Sequence, residues 1–409
     1  MATVIHILDE TPVRLWDLSL RERVRRLMRR KGGLALVDSL AQVQAADTVL
    51  LLRGDYLMDA RTLWALTDAP GTVLRAGVDE KAVRVAAHVP AALAPEVAAR
   101  LQAPGTGESL PGGLRTVSAE DLTPAFQERL RKADPPFVLP ITEGSRAELE
   151  RLLFGAAYKG ITDLVTRFVW PVPAQWGVRF CAHWGITPNQ VTALNWALAT
   201  AVLLLFGHGH FGWGLPLAWL MTYLDTVDGK LARVTVTSST FGHFFDHILD
   251  LISPPFWYLA WAVGLSSYQP LLLPASVKVT VWLLFVGYIL GRLTEGAFKQ
   301  WLGRFGIFCW RKLDSYSRLV TARRNPSLIL LTLGALAGRP DLGLEAVTLW
   351  TLLSSAFLLA RLVMAYRERA SAGPLVSWLE GAGKDPTDRS LAVRWFAGGG
   401  GRSPEGRRG

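Results

Sequence analysis

The chain has 409 residues, enough for two or three domains, and half of them are hydrophobic. Its net charge is +10, but the basic residues lie mostly beside apolar segments and in the tail, which favours membrane lipid over nucleic acid as a partner. The two cysteines, Cys181 and Cys309, are far apart and lack the spacing of metal ligands, so neither a disulfide nor a zinc site is indicated.

Residues 1–140 are predicted to form a cytoplasmic α/β domain. Short apolar strands at 3–8, 48–52 and 72–76 alternate with helical segments at 13–27 and 60–66. The first thirty residues are rich in arginine and lack a continuous apolar core, so no cleavable signal peptide is predicted. Fourteen of the sixteen tryptophans follow residue 165, and tryptophan concentrates at membrane boundaries, so we expect a membrane half after the soluble one.

One stretch of the soluble half, residues 49–59 (VLLLRGDYLMD), resembles the strand-then-acid element of sugar nucleotidyltransferases. The resemblance implies that Asp55 helps to hold a metal and a nucleotide. The Gly-rich loop of that family is missing, because residues 7–14 (ILDETPVR) contain no glycine and offer no cradle of N–H groups for a triphosphate. The sequence therefore favours a degenerate, non-catalytic domain in which Asp55 is an ordinary turn aspartate.

Two basic stretches precede the predicted membrane helices. Residues 21–31 (RERVRRLMRRK) predict a helix with a solvated basic face and an apolar underside; the alternative is a docking surface for anionic lipid. Residues 141–185 predict a linker and a juxtamembrane amphipathic helix, because basic and aromatic residues are mixed there. Thr187 or Asn189 is expected to cap the helix that follows, with Pro188 in its first turn.

Six membrane helices are predicted within residues 186–366, since about 20 apolar residues cross the hydrocarbon layer. They are placed at 190–208, 212–232, 241–264, 274–294, 327–338 and 343–366. Basic residues gather between the fourth and fifth helices, whereas the connections at 208–211 and 264–275 contain no Lys or Arg. By the positive-inside rule both termini face the cytoplasm, in a multi-pass protein of the cell (inner) membrane. Residues 367–409, rich in Gly and Arg, are predicted to be disordered.

Four aspartates lie where the second and third predicted helices meet, as the pairs Asp225/Asp228 and Asp246/Asp250. Each pair has a spacing of three or four residues, which puts both carboxylates on one helix face. Apolar runs flank the pairs, and carboxylates beside a hydrocarbon layer are costly unless a cation lies between them. Hard divalent ions with oxygen ligands meet that requirement best. The positive-inside rule places these four aspartates, and the active site that they would form, on the cytoplasmic side.

The residues between the pairs indicate a bulky anionic ligand. Gly229 and Gly242 allow close approach, Ala232 is small, and Arg233 offers a planar fork for a phosphate. Together with two acidic pairs and a metal, these residues suggest a pyrophosphate.

These eight residues match, position by position, the signature of the CDP-alcohol phosphotransferases, D-x2-D-G-x2-A-R-x8-G-x3-D-x3-D. The resemblance covers residues 185–366 and implies that a CDP-alcohol donates its phosphoryl-alcohol group to an acceptor hydroxyl while CMP leaves. It also implies two Mg²⁺ or Mn²⁺ ions and a homodimer formed through the membrane helices. The implied metal ligands are Asp225, Asp228, Asp246 and Asp250, with Asp250 as the catalytic base.

The resemblance also suggests substrate contacts. Lys230 and Arg233 are expected to bind the CDP phosphates, and the residues that would contact or make room for the rest of the nucleotide are Gly229, Ala232, Gly242, Asn189 and Thr192. For the acceptor the candidates are Arg292, Arg323 and Arg324, although the positive-inside rule explains these charges without a ligand. We expect His243 and His247 to pack at the interface.

Joined to such a membrane domain, the nucleotidyltransferase-like region resembles in layout the bifunctional inositol-phosphate cytidylyltransferase and di-inositol phosphate synthases. This points to inositol phosphate as a substrate, and to an alternative in which the soluble domain makes the CDP-alcohol. A cation-coupled transporter is the alternative from another class. It leaves the small residues and Arg233 unexplained, and no inverted repeat of the motif is present. The intact motif argues against a catalytically dead scaffold.

Overall fold

The computed structural model describes residues 2–77, 82–103, 110–237, 240–382, 388 and 390–397. For residues 240–243 and 245–247 it describes the backbone and not the side chains. The strands of the soluble half are β1 (Thr3–Leu8), β2 (Ala35–Val37), β3 (Thr48–Arg53), β4 (Tyr56–Met58), β5 (Thr72–Ala76), β6 (Val83–Pro90), β7 (Arg115–Val117), β8 (Phe126–Gln127), β9 (Lys132–Ala133) and β10 (Val138–Pro140). Its helices are α1 (Leu20–Arg29), α2 (Ala60–Thr67), α3 (Ala94–Gln102), α4 (Ala119–Leu122) and α5 (Arg146–Ala156).

Six strands form one mixed sheet in the order β2-β1-β3-β6-β5-β7. β1 runs parallel to both of its neighbours, whereas β6 runs antiparallel to β3 and β5. Successive side chains of a strand face opposite sides of the sheet. Accordingly, Leu50 and Leu52 pack in the core that contains α1 and α2, while Val49 and Leu51 pack in the core that contains α3. The predicted α/β class of this half is confirmed, and strands 3–8 and 72–76 have the predicted bounds.

The first helix begins later than predicted, at Leu20 instead of residue 13. Trp16 and Asp17 have φ angles of 53° and 58°, which a right-handed helix does not allow. Ser19 then caps α1 by accepting a hydrogen bond from the backbone N–H of Glu22 at 3.2 Å. Residues 13–18 instead form a compact turn that carries Trp16 towards the helical half.

The rest of the chain is helical. Its helices are α6 (Pro171–His183), α7 (Pro188–Gly207), α8 (Phe211–Val234), α9 (Thr240–Val263), α10 (Val277–Ala297), α11 (Lys312–Val320), α12 (Arg324–Leu336), α13 (Pro340–Ala372), α14 (Trp378–Gly381) and α15 (Leu391–Phe396). α7, α8, α9, α10, α12 and α13 correspond to the six predicted membrane helices. In the described residues, three helical segments are long and apolar enough to cross a membrane: Pro188–Gly207, Val277–Leu302 and Pro340–Ala372. The second half of the chain is therefore helical with three candidate membrane spans, and crossing by all six helices stays a prediction.

The predicted disorder of residues 367–409 is wrong for the first part of that segment. α13 continues to Ala372, and α14 and α15 pack back onto the helical half with Leu379, Ala392 and Phe396 buried. These apolar side chains join a core that contains Phe298 and Phe308. The Gly/Arg composition concealed a few large apolar residues, and their burial offsets the entropy of ordering the chain. Residues 398–409 lie outside the described residues.

Candidate active site

Asp225 and Asp228 lie in the second half of α8 and share one face of that helix, as their spacing predicts. Asp228 is buried, and its Oδ2 accepts hydrogen bonds from Thr192 Oγ1 at 2.9 Å and from Asn195 Nδ2 at 3.4 Å. Thr192 and Asn195 are three residues apart on α7, so both face α8. Asn195 is a site residue that the sequence prediction missed, and its spacing from Thr192 was the available signal.

Arg324 joins the two acidic helices at the start of α12. Its Nη2 lies 2.6 Å from Asp225 Oδ2, and its Nη1 lies 2.8 Å from Asp250 Oδ1 on α9. One guanidinium therefore bridges Asp225 and Asp250, which confirms that these carboxylates converge. Arg324 was predicted to bind the acceptor, whereas here it neutralises Asp225 and Asp250. The reason is electrostatic: partly buried carboxylates that face one another require a positive partner.

The start of α9 carries the other predicted residues of the motif. Asp246 precedes Asp250 by four residues and so lies on the same face of α9. Its side chain, like those of His243 and His247, falls outside the described residues, and Gly242 belongs to the same segment. Their predicted roles stay predictions.

The donor set fits a divalent metal ion. Asp228 Oδ1 is buried and accepts no hydrogen bond from any described residue, and the same holds for the neighbouring Asn195 Oδ1. Buried polar atoms are normally paired, so these oxygens call for a ligand. Among the described residues, which do not include the Asp246 side chain, no three His, Cys, Asp or Glu side chains form a metal site. Carboxylate and amide oxygens are the ligands that Mg²⁺ and Mn²⁺ prefer.

The basic residues of the motif contact the segment after α5. Lys230 is buried with its Nζ 3.8 Å from the centroid of the Tyr158 ring. Arg233 donates through Nε to the carbonyl oxygen of Ala157 at 2.7 Å. A Cβ atom at Gly229 would lie 3.1 Å from Arg233 Nη2, so this glycine makes room for the guanidinium. Both cations are thus held beside the acidic pair by residues that connect the two halves of the chain.

The start of α7 is capped by Thr187. Thr187 Oγ1 accepts from the Gln190 N–H at 3.4 Å, and Gln190 Oε1 accepts from the Thr187 N–H at 2.8 Å. This reciprocal pair is a capping box. Asn189, the other predicted cap, is exposed on the first turn.

A second polar cluster lies beside Arg324. Arg323 donates to Glu295 at 2.6 Å, and Arg292 lies 3.7 Å from the same carboxylate. In this cluster, four buried guanidinium nitrogens have no hydrogen-bond partner among the described residues: Arg292 Nε, Arg318 Nε, Arg318 Nη1 and Arg323 Nε. Arg318 stands at the start of the basic run 318–324 and was not among the predicted site residues. This basic cluster (Arg292, Arg318, Arg323) can bind an anion.

Asp163 and Asn325 close one side of this region. Asn325 Nδ2 donates to Asp163 Oδ1 at 2.9 Å and to Thr166 Oγ1 at 3.1 Å. Asp163 is buried, and burial by itself raises the pKa of its carboxyl group. The charge of Arg318 and nearby hydrogen bonds together lower it more, so the pKa of Asp163 lies below its ordinary value. The sequence prediction also missed Asp163, whose only signal was an acid within an apolar stretch.

These features define a helical domain with candidate membrane spans, in which Asp225 of α8 and Asp250 of α9 share Arg324 next to the basic cluster. Residues 185–307 match the family model for CDP-alcohol phosphatidyltransferase, and the whole aspartate motif lies inside that match. This part of the chain is therefore similar to the CDP-alcohol phosphatidyltransferases.

Three relatives show how far the similarity extends. The "Bifunctional IPC transferase and DIPP synthase" of Rubrobacter xylanophilus is 28% identical over 221 residues, covering 54% of this chain and 47% of that protein. The "Phosphatidylinositol phosphate synthase" of Streptomyces avermitilis is 29% identical over 115 residues, covering 28% of this chain and 45% of that protein. The protein of the same name from Corynebacterium glutamicum is 32% identical over 119 residues, covering 28% and 54%. The chain thus spans about half the length of these curated relatives.

Proposed function

We propose that this chain is an integral membrane CDP-alcohol phosphotransferase, which moves a phosphoryl-alcohol group from a CDP-alcohol to an acceptor hydroxyl and releases CMP. One observation carries the proposal. Carboxylates of α8 and α9, at signature positions of the matched family, converge within 2.6 Å and 2.8 Å of a single guanidinium. Next to them, Asp228 offers a buried oxygen that accepts no hydrogen bond from the described residues.

Asp225, Asp228, Asp246 and Asp250 would hold two Mg²⁺ or Mn²⁺ ions. When bound, such ions neutralise the charge that develops on the phosphoryl oxygens and on the leaving CMP. Asp250 has 47% of its side chain exposed, against 17% for Asp225, so it is the more accessible to an acceptor. Asp250 therefore takes the proton from the acceptor hydroxyl. Thr192 and Asn195 orient the Asp228 carboxylate.

The nucleotide would lie against the motif side of α8. Arg233 and Lys230 flank the acidic pair and supply positive charge for the two phosphates of CDP. The contacts of Arg233 with Ala157, and of Lys230 with the Tyr158 ring, keep both cations near that position. Gly229, Ala232, Gly242, Asn189 and Thr192 remain candidates for the rest of the CDP moiety.

The basic cluster would bind the acceptor. Its four unpartnered guanidinium nitrogens suit the oxygens of a phosphate group. Two relatives are named for phosphatidylinositol phosphate synthesis, which supports inositol phosphate as the acceptor. The product would then be a phospholipid or related polar lipid.

Arg324→Gln is expected to raise Mn²⁺ affinity about tenfold, which corresponds to about 1.4 kcal/mol. The wild-type guanidinium competes with the metal for Asp225 and Asp250, and the neutral amide does not. Mn²⁺ titration followed by electron paramagnetic resonance measures the affinity. Arg323→Gln is the matched control, because Arg323 pairs with Glu295 instead. Unchanged or weaker Mn²⁺ binding in Arg324→Gln would show that the arginine does not compete for the metal ligands.

The same proposal assigns a place in the cell. Six helices would cross the cell membrane, with the soluble domain and the aspartates on the cytoplasmic side. The soluble domain contacts the end of α8 that follows Asp228, so both lie at one face of the helical half. α6 exposes Trp176 and Phe180, and the residue that follows it, Trp184, is also exposed, as expected for a helix at a membrane surface. We also propose that the protein forms a homodimer through its membrane helices, as the resemblance to the family implies.

For the soluble domain we propose a non-catalytic role. The Asp55 carboxylate is engaged by Arg53 at 2.6 Å, and in the glycine-free segment 7–14 Asp9 accepts from Gln102 at 2.9 Å. The bifunctional relative favours the second candidate, in which this domain makes the CDP-alcohol. The full chain incubated with CTP and inositol or sugar phosphates distinguishes the two. We expect no pyrophosphate release, and release that disappears in Asp55→Asn would establish the bifunctional enzyme.

The proposed activity is tested by offering the purified chain CDP-diacylglycerol and other CDP-alcohols with a panel of hydroxyl acceptors. CMP is followed by mass spectrometry. We expect CMP release that requires one donor and one acceptor together. No CMP with any pair, accompanied by cation flux in proteoliposomes, would instead identify the transporter.

A further inference from the structure

The C-terminal end of α8 is held by the soluble domain. Arg23 Nη2 donates to the carbonyl oxygen of Val234 at 2.9 Å, and Arg26 Nη1 donates to that of Thr235 at 2.8 Å. The last carbonyls of a helix have no partner within the helix, and positive charge there is favourable. Two arginines of α1 thus cap the helix that carries Asp225 and Asp228. The sequence predicted either a solvated face or a lipid surface for this arginine-rich segment, and for these two residues both predictions are wrong.

The backbone after α8 forms a Schellman motif. The Thr237 N–H donates to the Ala232 carbonyl at 3.0 Å, and the Val236 N–H donates to the Arg233 carbonyl at 3.4 Å. Val236 has a φ of 55°, at the position where such motifs normally place glycine. A β-branched residue in the left-handed region is strained, so something must hold it there.

The soluble domain supplies that restraint. The Val236 side chain is buried in the core that contains Leu15, Leu20 and Val24. Burial of the side chain offsets the backbone strain. Arg23 is itself buried, and although burial lowers its pKa to about 10, it stays charged at neutral pH.

Trp16 adds a further contact. Its indole Nε1 donates to the Glu150 carbonyl at 3.0 Å, and the ring packs in a cluster with Leu231 and Val234 of α8. The end of α8 is therefore enclosed by polar and apolar contacts from one domain.

We propose that the soluble domain is a positioning clamp for the phosphotransfer site, in which Arg23, Arg26 and Val236 fix the end of α8 and the residues 235–237 that follow it. Val234 lies six residues after Asp228, about 9 Å along the helix, and α9, the next helix, carries Asp250. A shift of this end of α8 changes the distance between Asp228 and Asp250. Because a displacement of about 1 Å can cost about a hundredfold in rate, this clamp acts on turnover. The effect on turnover rests on the proposed function.

Arg26→Ala and Arg25→Ala form the first test. Both arginines pair with Glu22, but only Arg26 contacts α8. In full-length protein we expect Arg26→Ala to lower kcat at least about tenfold, with KM for the CDP-alcohol changed less than about twofold. Arg25→Ala should match the parent, and Arg26→Lys, which still donates to a carbonyl, should recover part of the loss.

Val236→Gly is the second test, and hydrogen exchange of the amides at 232–237 is its readout. Glycine removes the strain but also the anchor, so the clamp predicts faster exchange and a lower kcat. If Val236 were only part of a local helix cap, the amides at 232–237 would exchange at the parental rate or more slowly in Val236→Gly. This readout does not require turnover, so it tests the clamp even if the parent releases no CMP. Exchange and kcat equal to the parent in both Val236→Gly and Arg26→Ala would overturn the proposal.

Discussion

Replacing Asp250 by asparagine is expected to lower CMP release by about 10²- to 10⁴-fold, the range that a general base contributes. Asparagine keeps the shape of the side chain but can neither take a proton nor pair with Arg324 as an anion. CMP formed at saturating donor and acceptor, measured by mass spectrometry, gives the rate. Binding of CDP, measured by calorimetry, should persist, because Asp225 and Asp228 are intact.

Asp341→Asn is the control for this experiment. Asp341 also pairs with an arginine, Arg339, but at the start of α13, where the loop after α9 contacts it through Gln269. Its variant should turn over like the parent. Parental turnover in Asp250→Asn would remove Asp250 as the base from the mechanism.

Asp314→Ala is expected to cost about 3–5 kcal/mol of unfolding free energy. Asp314 and Arg361 form a buried pair with two hydrogen bonds, at 2.5 Å and 2.9 Å. Arg361 also lies 4.4 Å from the centroid of the Trp310 ring, so it cannot move readily to solvent. Without Asp314 its charge is buried and uncompensated. Thermal and denaturant unfolding in detergent micelles measure the loss.

Glu368→Ala provides the comparison on α13, the helix that carries Arg361. Glu368 pairs with Arg311 near the surface, where an ion pair contributes at most about 1 kcal/mol. The double variant Asp314→Leu with Arg361→Met should regain much of the loss, because apolar replacement of a buried pair is often neutral. A cost of Asp314→Ala no larger than that of Glu368→Ala would mean that the pair is not important for stability.

Local pattern was sufficient for much of this architecture. Alternating apolar residues placed strands 3–8 and 72–76 at their observed bounds, and long apolar runs placed six helices in the membrane half. The fixed spacing of Asp225 and Asp228 put them on one face of α8, and Thr187 caps α7 as one of two predicted residues. These features depend on neighbours within a few residues, which is why the sequence reveals them.

Features that depend on distant partners were not predictable in this way. Arg324 meets Asp225 only because α12 packs against α8, and a basic run in sequence indicates orientation as readily as a partner. Arg23 contacts Val234 across 211 positions of the chain. The tail was predicted from its average composition, yet Leu379 and Phe396 suffice to dock it. In each case, contacts with distant residues decided between structures that the local sequence indicates about equally well.

The account depends on Asp228 and its neighbours holding a divalent cation at the end of α8. Mn²⁺ binding to the purified chain, compared between the parent and Asp228→Asn by electron paramagnetic resonance, tests this most directly. We predict saturable binding by the parent and the loss of at least one bound Mn²⁺ in the variant. Equal binding by the two proteins, or none by the parent at millimolar Mn²⁺, would contradict it.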